Sequence, residues 1–167
     1  DDTYIDDLIS AASRKLEREW DRAFVSQTLR YTADTFPLDG GAIRLPRPPL
    51  TTTTSDVAIT YTNSEGSSTT WASSDYQIDS RSEPGRILPA FGQSWPSTRA
   101  VLNAVTVQYV AGYGAASAVP ASIKHAIKLY LSHLYENREP VITGTIVSPI
   151  PDTINNLMGA EDWGRYG

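Results

Sequence analysis

The hydrophobic period of this chain changes twice, and those two changes limit its architecture more than any single residue does. Over residues 3 to 24, Ile5, Leu8, Ile9, Ala12, Leu16, Trp20 and Ala23 recur at helical spacing. Asp6, Asp7, Arg14, Lys15, Arg18, Glu19 and Arg22 fill the polar face between them, acids early and bases late, as the helix dipole favours. From Ser26 to Gly114 the texture turns to Thr, Ser, Val, Tyr, Pro and Gly. Alternation is clear in Val57, Ile59 and Tyr61 and again in Val105, Val107 and Tyr109, the pattern of half-buried antiparallel strands. From Ala118 the helical period returns. Pro120 suits a first turn, and Ile123, Ala126, Ile127, Tyr130, Leu131 and Leu134 form an apolar stripe.

Within the middle zone the spacing predicts strands over residues 27–36, 43–45, 56–62, 69–72, 76–79, 86–88 and 104–110. Turn residues separate them: Asp39-Gly40-Gly41, the Pro46–Pro49 stretch, Asn63–Ser67 and Glu83-Pro84-Gly85. Pro140 ends the second helix, and Ile154, Leu157 and Met158 mark a short third one over 149–158. The order implies an α+β fold. Its expected parts are a small helical bundle from residues 1–25 and 115–158, an inserted antiparallel β-rich domain over 26–114, and a C-terminal arm over 159–167. The insert is expected to be a small sandwich or a curled sheet.

Composition removes several kinds of chemistry. The 167 residues contain no cysteine, which excludes disulfides, thiolate catalysis and Cys-based zinc sites. No apolar run approaches the roughly 20 residues that span a bilayer, so no membrane partner is expected. The net charge is −5, and the 14 basic residues form no block, which disfavours tight phosphate binding by the chain as a whole. The sequence opens on Asp1-Asp2 without a methionine, which leads us to expect a leading segment before it.

No reaction chemistry emerges from the motifs. His125 and His133 lie eight residues apart, about 80° around a helix and more than roughly 10 Å along it, which is not the i, i+4 pair of a zinc helix. Gly112-Tyr113-Gly114 opens like a dinucleotide loop, but Ser117 stands at the third glycine position. These glycines are expected to turn the chain from the last strand into the second helix. Asp6/Asp7 suit a helix start, Asp75/Asp79 suit turns, and there is no GxSxG elbow. We therefore expect no catalytic residue, no metal site and no cofactor. Trp71, Trp95, Phe91 and Tyr76 read first as core or subunit-contact aromatics and second as a stacking platform. That leaves a shape-bearing structural protein ahead of a carbohydrate- or ligand-binding β module, with a hydrolase assembled only in space as a third reading.

Several segments resemble one known family. In order they are YIDDLISAA, IRLPRPPL, SDYQIDSRSEPGRILPAFGQSWPSTR, NAVTVQYVAGYG and VPASIKHAIKLYLSHLYENRE, running from Tyr4 to about Met158. The most specific parts are PRPPL at 46–50, EPGRI at 83–87, SWPSTR at 94–99 and YENRE at 135–139. Together they resemble the tailed-phage head–tail connector (adaptor) family, in its gene-transfer-agent-like group with a β-rich insert. The resemblance implies a structural virion protein, assembled in the cytoplasm of a bacterial host. It would form a homo-oligomeric ring of twelve copies below the portal protein and bridge to a stopper or tail-completion protein. Genomic DNA would pass through without sequence-specific binding. Family members begin with a further short helical segment, and Gly159–Asp162 and Gly164 depart from the commoner tail pattern. Trp163, Arg165 and Tyr166 look like the family's aromatic and basic tail and are expected to bind the portal. Asn63, Ser64 and Glu65 at an exposed hairpin tip, Glu136 and Arg138 at the end of the second helix, and Thr143 and Ile146 in the next loop are expected to contact a neighbouring subunit or the next ring.

Overall fold

A computed structural model describes residues 2–51, 56–136 and 152–159. The first helix, α1, spans Asp2–Glu19 and stops before its apolar pattern does. After Trp20 N–H bonds to Leu16 O, Asp21 adopts a left-handed backbone (φ 47°), a conformation that Asp tolerates better than most residues and that ends the helical ladder. Ala23 N–H then donates to Pro48 O at 3.0 Å, so Arg22 and Ala23 belong to the β-rich part and not to the helix.

Among the described residues seven strands follow: β1 Gln27–Ala33, β2 Ile43–Arg44, β3 Ala58–Thr62, β4 Ser68–Trp71, β5 Tyr76–Asp79, β6 Arg86–Pro89 and β7 Val105–Ala111. Each matches a predicted strand. The main difference is β1, which stops at Ala33 because Asp34 turns away to accept a bond from Asn103 N–H at 2.8 Å. Two antiparallel sheets result, ordered β1-β7-β3-β4 and β2-β6-β5. On β7 the residues Val105, Val107, Tyr109 and Ala111 are buried in alternation, and Val107 faces Ile59 on one neighbour and Tyr31 on the other. Ile43, Ile87 and Tyr76 from the smaller sheet enter the same core as Ile59, Trp71 and Val107 from the larger. Each such side chain contributes about 1.5–3 kcal/mol on leaving water.

The helices form their own compact unit, separate from the β-rich unit Asp21–Ala116. Helix α2 covers Ala121–Glu136 and packs with α1 and with α3, which covers Asp152–Gly159. Ala12 and Leu16 on α1, Ile123, Ala126 and Tyr130 on α2, and Ile154 on α3 are buried. The fold is thus α+β, with one α-helix before the sheets and two after them among the described residues.

A carboxylate closes the hairpin between β5 and β6. Asp79 Oδ1 accepts from Arg81 N–H at 3.0 Å and Ser82 N–H at 3.2 Å, while Oδ2 accepts from Arg86 Nη2 at 2.6 Å and from the Ser82 hydroxyl. The Ser82 bond foremost, then Arg86, holds its carboxyl well below the ordinary 3.8. A depressed folded pKa means that this contribution is complete above the ordinary value and drains away as pH falls below it. Asp79→Ala is expected to cost about 1–2 kcal/mol at neutral pH, as for loss of a helix-capping carboxylate. Urea titrations below pH 4 should show the gap to the parent protein closing; a gap independent of pH would refute the clamp.

Candidate functional site

Three of the family-like motifs meet around one buried cation. Arg22 is 3% exposed. Its guanidinium pairs with the carboxylate of Glu83, the first residue of EPGRI, and its Nη1 donates to Tyr113 Oη at 2.7 Å. The PRPPL segment wraps the same place through its backbone. Pro46 O accepts from Tyr109 Oη at 2.7 Å, Pro48 O accepts from Ala23 N–H, and Pro49 O accepts from Gly112 N–H at 2.9 Å. Arg47 Nη2 donates to Arg22 O at 3.4 Å. Burial pushes the Tyr109 hydroxyl up to about 12, against the opposing pull of Arg47. Gly85 sits so close to the buried Leu50 that an added Cβ would lie 2.6 Å from its Cδ2. Helical periodicity puts Arg22 on a polar helix face; the early end of α1 instead makes it the interior tie between three distant segments.

The Gly112-Tyr113-Gly114 motif has a comparable backbone role. Tyr113 N–H donates to Phe24 O at 2.9 Å, and Ser26 N–H donates to Gly114 O at 2.8 Å. The two stretches lie backbone against backbone, which explains the glycines without a nucleotide. Trp71 and Tyr76 are buried, and Trp95 stacks on Phe36 with ring centroids 4.9 Å apart while its Nε1 donates to Gly41 O. These aromatics form a core cluster and not an open stacking platform. Phe91 differs from the others: the Ala90–Gly92 turn leaves its ring fully exposed.

Asn63, Ser64 and Glu65 do lie at an exposed end of the larger sheet, on the β3–β4 turn. Asn63 Oδ1 accepts from Glu65 N–H at 3.1 Å and Ser67 N–H at 2.9 Å, so its side chain builds the turn, while Ser64 and Glu65 face solvent. Arg99 ties the SWPSTR segment to this tip through its backbone N–H to Thr62 O and its Nη1 to Glu65 O. The loops after β1 and before β7 reach the same end, since Ala33 pairs with Val105 and Tyr61 also pairs with Val105. They carry Leu38 and Leu102, 94% and 81% exposed. Periodicity misses both. The available signal was an isolated leucine inside turn chemistry, Pro37-Leu38-Asp39-Gly40 and Leu102-Asn103.

In the helical unit Glu136 is exposed at the last turn of α2. Arg138, Thr143, Ile146, Trp163, Arg165 and Tyr166 lie outside the described residues. His125 is exposed, and His133 stacks beside Tyr130 at 6.4 Å. Among the described residues no group of three His, Asp or Glu side chains is placed to hold a metal, and no helix is long and apolar enough to cross a membrane.

No protein-family model matches the sequence, and no curated protein matches it. Solved structures do match. A chain from the virion of a native gene transfer agent particle aligns with a TM-score of 0.74 at 21% identity, over 96% of this chain and 77% of that one. A chain from the neck of the native particle, computed with C12 symmetry, gives 0.69 at 22% identity over 92% and 81% of the two chains. A chain from the neck of the empty particle, computed with C6 symmetry, gives 0.69 at 22% over 94% and 78%. The likeness is one of fold, and it spans nearly the whole chain.

Proposed function

We propose that this chain is a structural subunit of the neck of a phage-like or gene transfer agent particle, a connector that forms a ring below the portal. The ring would continue the DNA channel and bridge to a stopper or tail protein. The observation that carries this reading is the fold shared with chains from gene transfer agent necks computed with C12 and C6 symmetry. The buried tie around Arg22 supports it, because the motifs of the connector resemblance serve shape there and not chemistry. Twelve copies at −5 each carry roughly −60 in formal charge, an excess that disfavours gripping DNA in transit. In this reading Trp163, Arg165 and Tyr166 bind the portal. Asn63, Ser64 and Glu65, now joined by Leu38 and Leu102, face a neighbouring copy or the next ring, as do Glu136, Arg138, Thr143 and Ile146.

Mass measurement and negative-stain imaging, with and without portal, test the reading. A closed ring of twelve 18.3-kDa chains, about 220 kDa, is expected. A monomer that never joins a portal would overturn it. Removing residues 160–167 leaves α3 whole and is expected to weaken portal binding at least about tenfold while the ring persists, given what buried aromatic and Arg anchors contribute. Unchanged binding would remove the arm from the reading.

A further inference from the structure

The helical unit separates its charges in a way that only the fold reveals. Ile5 and Leu8, early in α1, line one groove with Leu131, Ser132, Tyr135 and Glu136, late in α2. The two packed helices are therefore antiparallel, and the groove marks one end of the pair. That end carries exposed Asp6, Asp7 and Glu136, and neither half-helix there contributes a Lys or Arg among its described residues. The opposite end carries Arg14, Lys15 and Arg18 from α1 with Lys124 and Lys128 from α2, against Glu17 and Glu19.

The acidic end is also apolar. Ile5 and Tyr135 in the groove, and Tyr4 and Ile9 next to Ile5 and Leu8 along α1, are 39–48% exposed. Its volume of about 240 Å³ is below the range of small-molecule sites but ample for a side chain or two of a protein partner. Two such ends brought together would set carboxylates against carboxylates, so a self-pairing dimer is disfavoured. A cyclic ring has a different need. Its contact is heterologous, so one chain must present two unlike surfaces that fit each other.

We propose that the acidic, apolar end of the α1–α2 pair is one half of the contact between neighbouring copies, and that the basic end of the next copy is the other half. This rests on the ring reading above. Opposite charge sets the direction of the contact, and the apolar rim supplies desolvated area at its centre. Because the charges are exposed, added salt should shift the ring toward smaller species.

The test uses two variants of the full chain, Asp6→Lys with Asp7→Lys, and Arg14→Glu with Arg18→Glu. Each alone is expected to raise the concentration needed for ring formation at least tenfold in mass photometry, with helical circular dichroism retained. Mixed in equal amounts they are expected to regain the ring, since each then offers the surface the other lost and the two alternate around it. A mixture that stays dissociated, or single variants that assemble like the parent, would overturn the proposed contact while leaving the ring itself standing. A parent chain that forms no ring with portal present would overturn the ring reading and this contact with it.

Discussion

Glu83→Ala is expected to destabilise the protein by about 3 kcal/mol, because it strands a guanidinium that folding has already removed from water. Breaking a buried ion pair from one side costs roughly 3–5 kcal/mol, most of it the uncompensated charge. Arg22 is 4% exposed at its side chain and has almost no hydration of its own, whereas Glu83 is 26% exposed. Water entering where the carboxylate stood would repay part of the loss, which puts the expected value at the lower end of that range. Tyr113 Oη remains as a neutral partner at 2.7 Å but cannot balance the charge. For a chain of this size the loss corresponds to a fall in Tm of about 6–12 °C. Replacing both partners, Arg22→Met with Glu83→Leu, is expected to recover most of it, since well-packed apolar pairs often equal a buried ion pair. A single variant within about 1 kcal/mol of the parent by urea denaturation would show that Arg22 is solvated after all.

That tie also shows where sequence reading stops. The seven strands and three α-helices of the described residues are legible because side-chain periodicity is local: Val105, Val107 and Tyr109 announce a strand wherever it pairs. Sheet order is not local. Nothing in β7 says that it lies between β1 and β3, and nothing in Arg22 says that its counter-charge waits 61 residues away. Helical spacing carries on through Arg22 and Ala23, and only the left-handed Asp21 and the bond to Pro48 end it earlier. Phe91 and Trp95 look alike in sequence, yet one points to solvent from a tight turn and the other stacks on Phe36. The exposed tip at Ser64 and Glu65 was readable because Asn63 and Gly66 are turn formers. Leu38 and Leu102 are marked only by their isolation inside turn chemistry, which does not by itself tell a leucine that folds inward from one left outside the core. The charge separation of the helical unit needs the antiparallel pairing of α1 and α2, which no window of sequence contains.

Gly112→Ala is expected to cost about 4 kcal/mol, well above the same change at Gly66, although both glycines have positive φ. Gly66 (φ 90°) sits on the exposed β3–β4 turn, where an added Cβ would come within 2.4 Å of Arg99 Nη1. That atom is the far end of a flexible side chain, and its bond to Glu65 O is long at 3.5 Å, so Arg99 can move aside. What remains is backbone strain of about 1–2 kcal/mol. At Gly112 (φ 121°) the new Cβ would meet Val25 C and O at 2.6 Å and Ser26 N at 2.7 Å. Those are backbone atoms, and the bonds from Tyr113 N–H to Phe24 O and from Ser26 N–H to Gly114 O keep them from receding. The strain at φ is then joined by about 1–3 kcal/mol of enforced displacement in a packed site, together with weakening of those flanking bonds. Denaturant midpoints of the two variants measure the contrast directly. If Gly112→Ala costs no more than Gly66→Ala, the close approach of residues 24–26 to 112–114 is not what requires glycine there, and the motif would need another explanation.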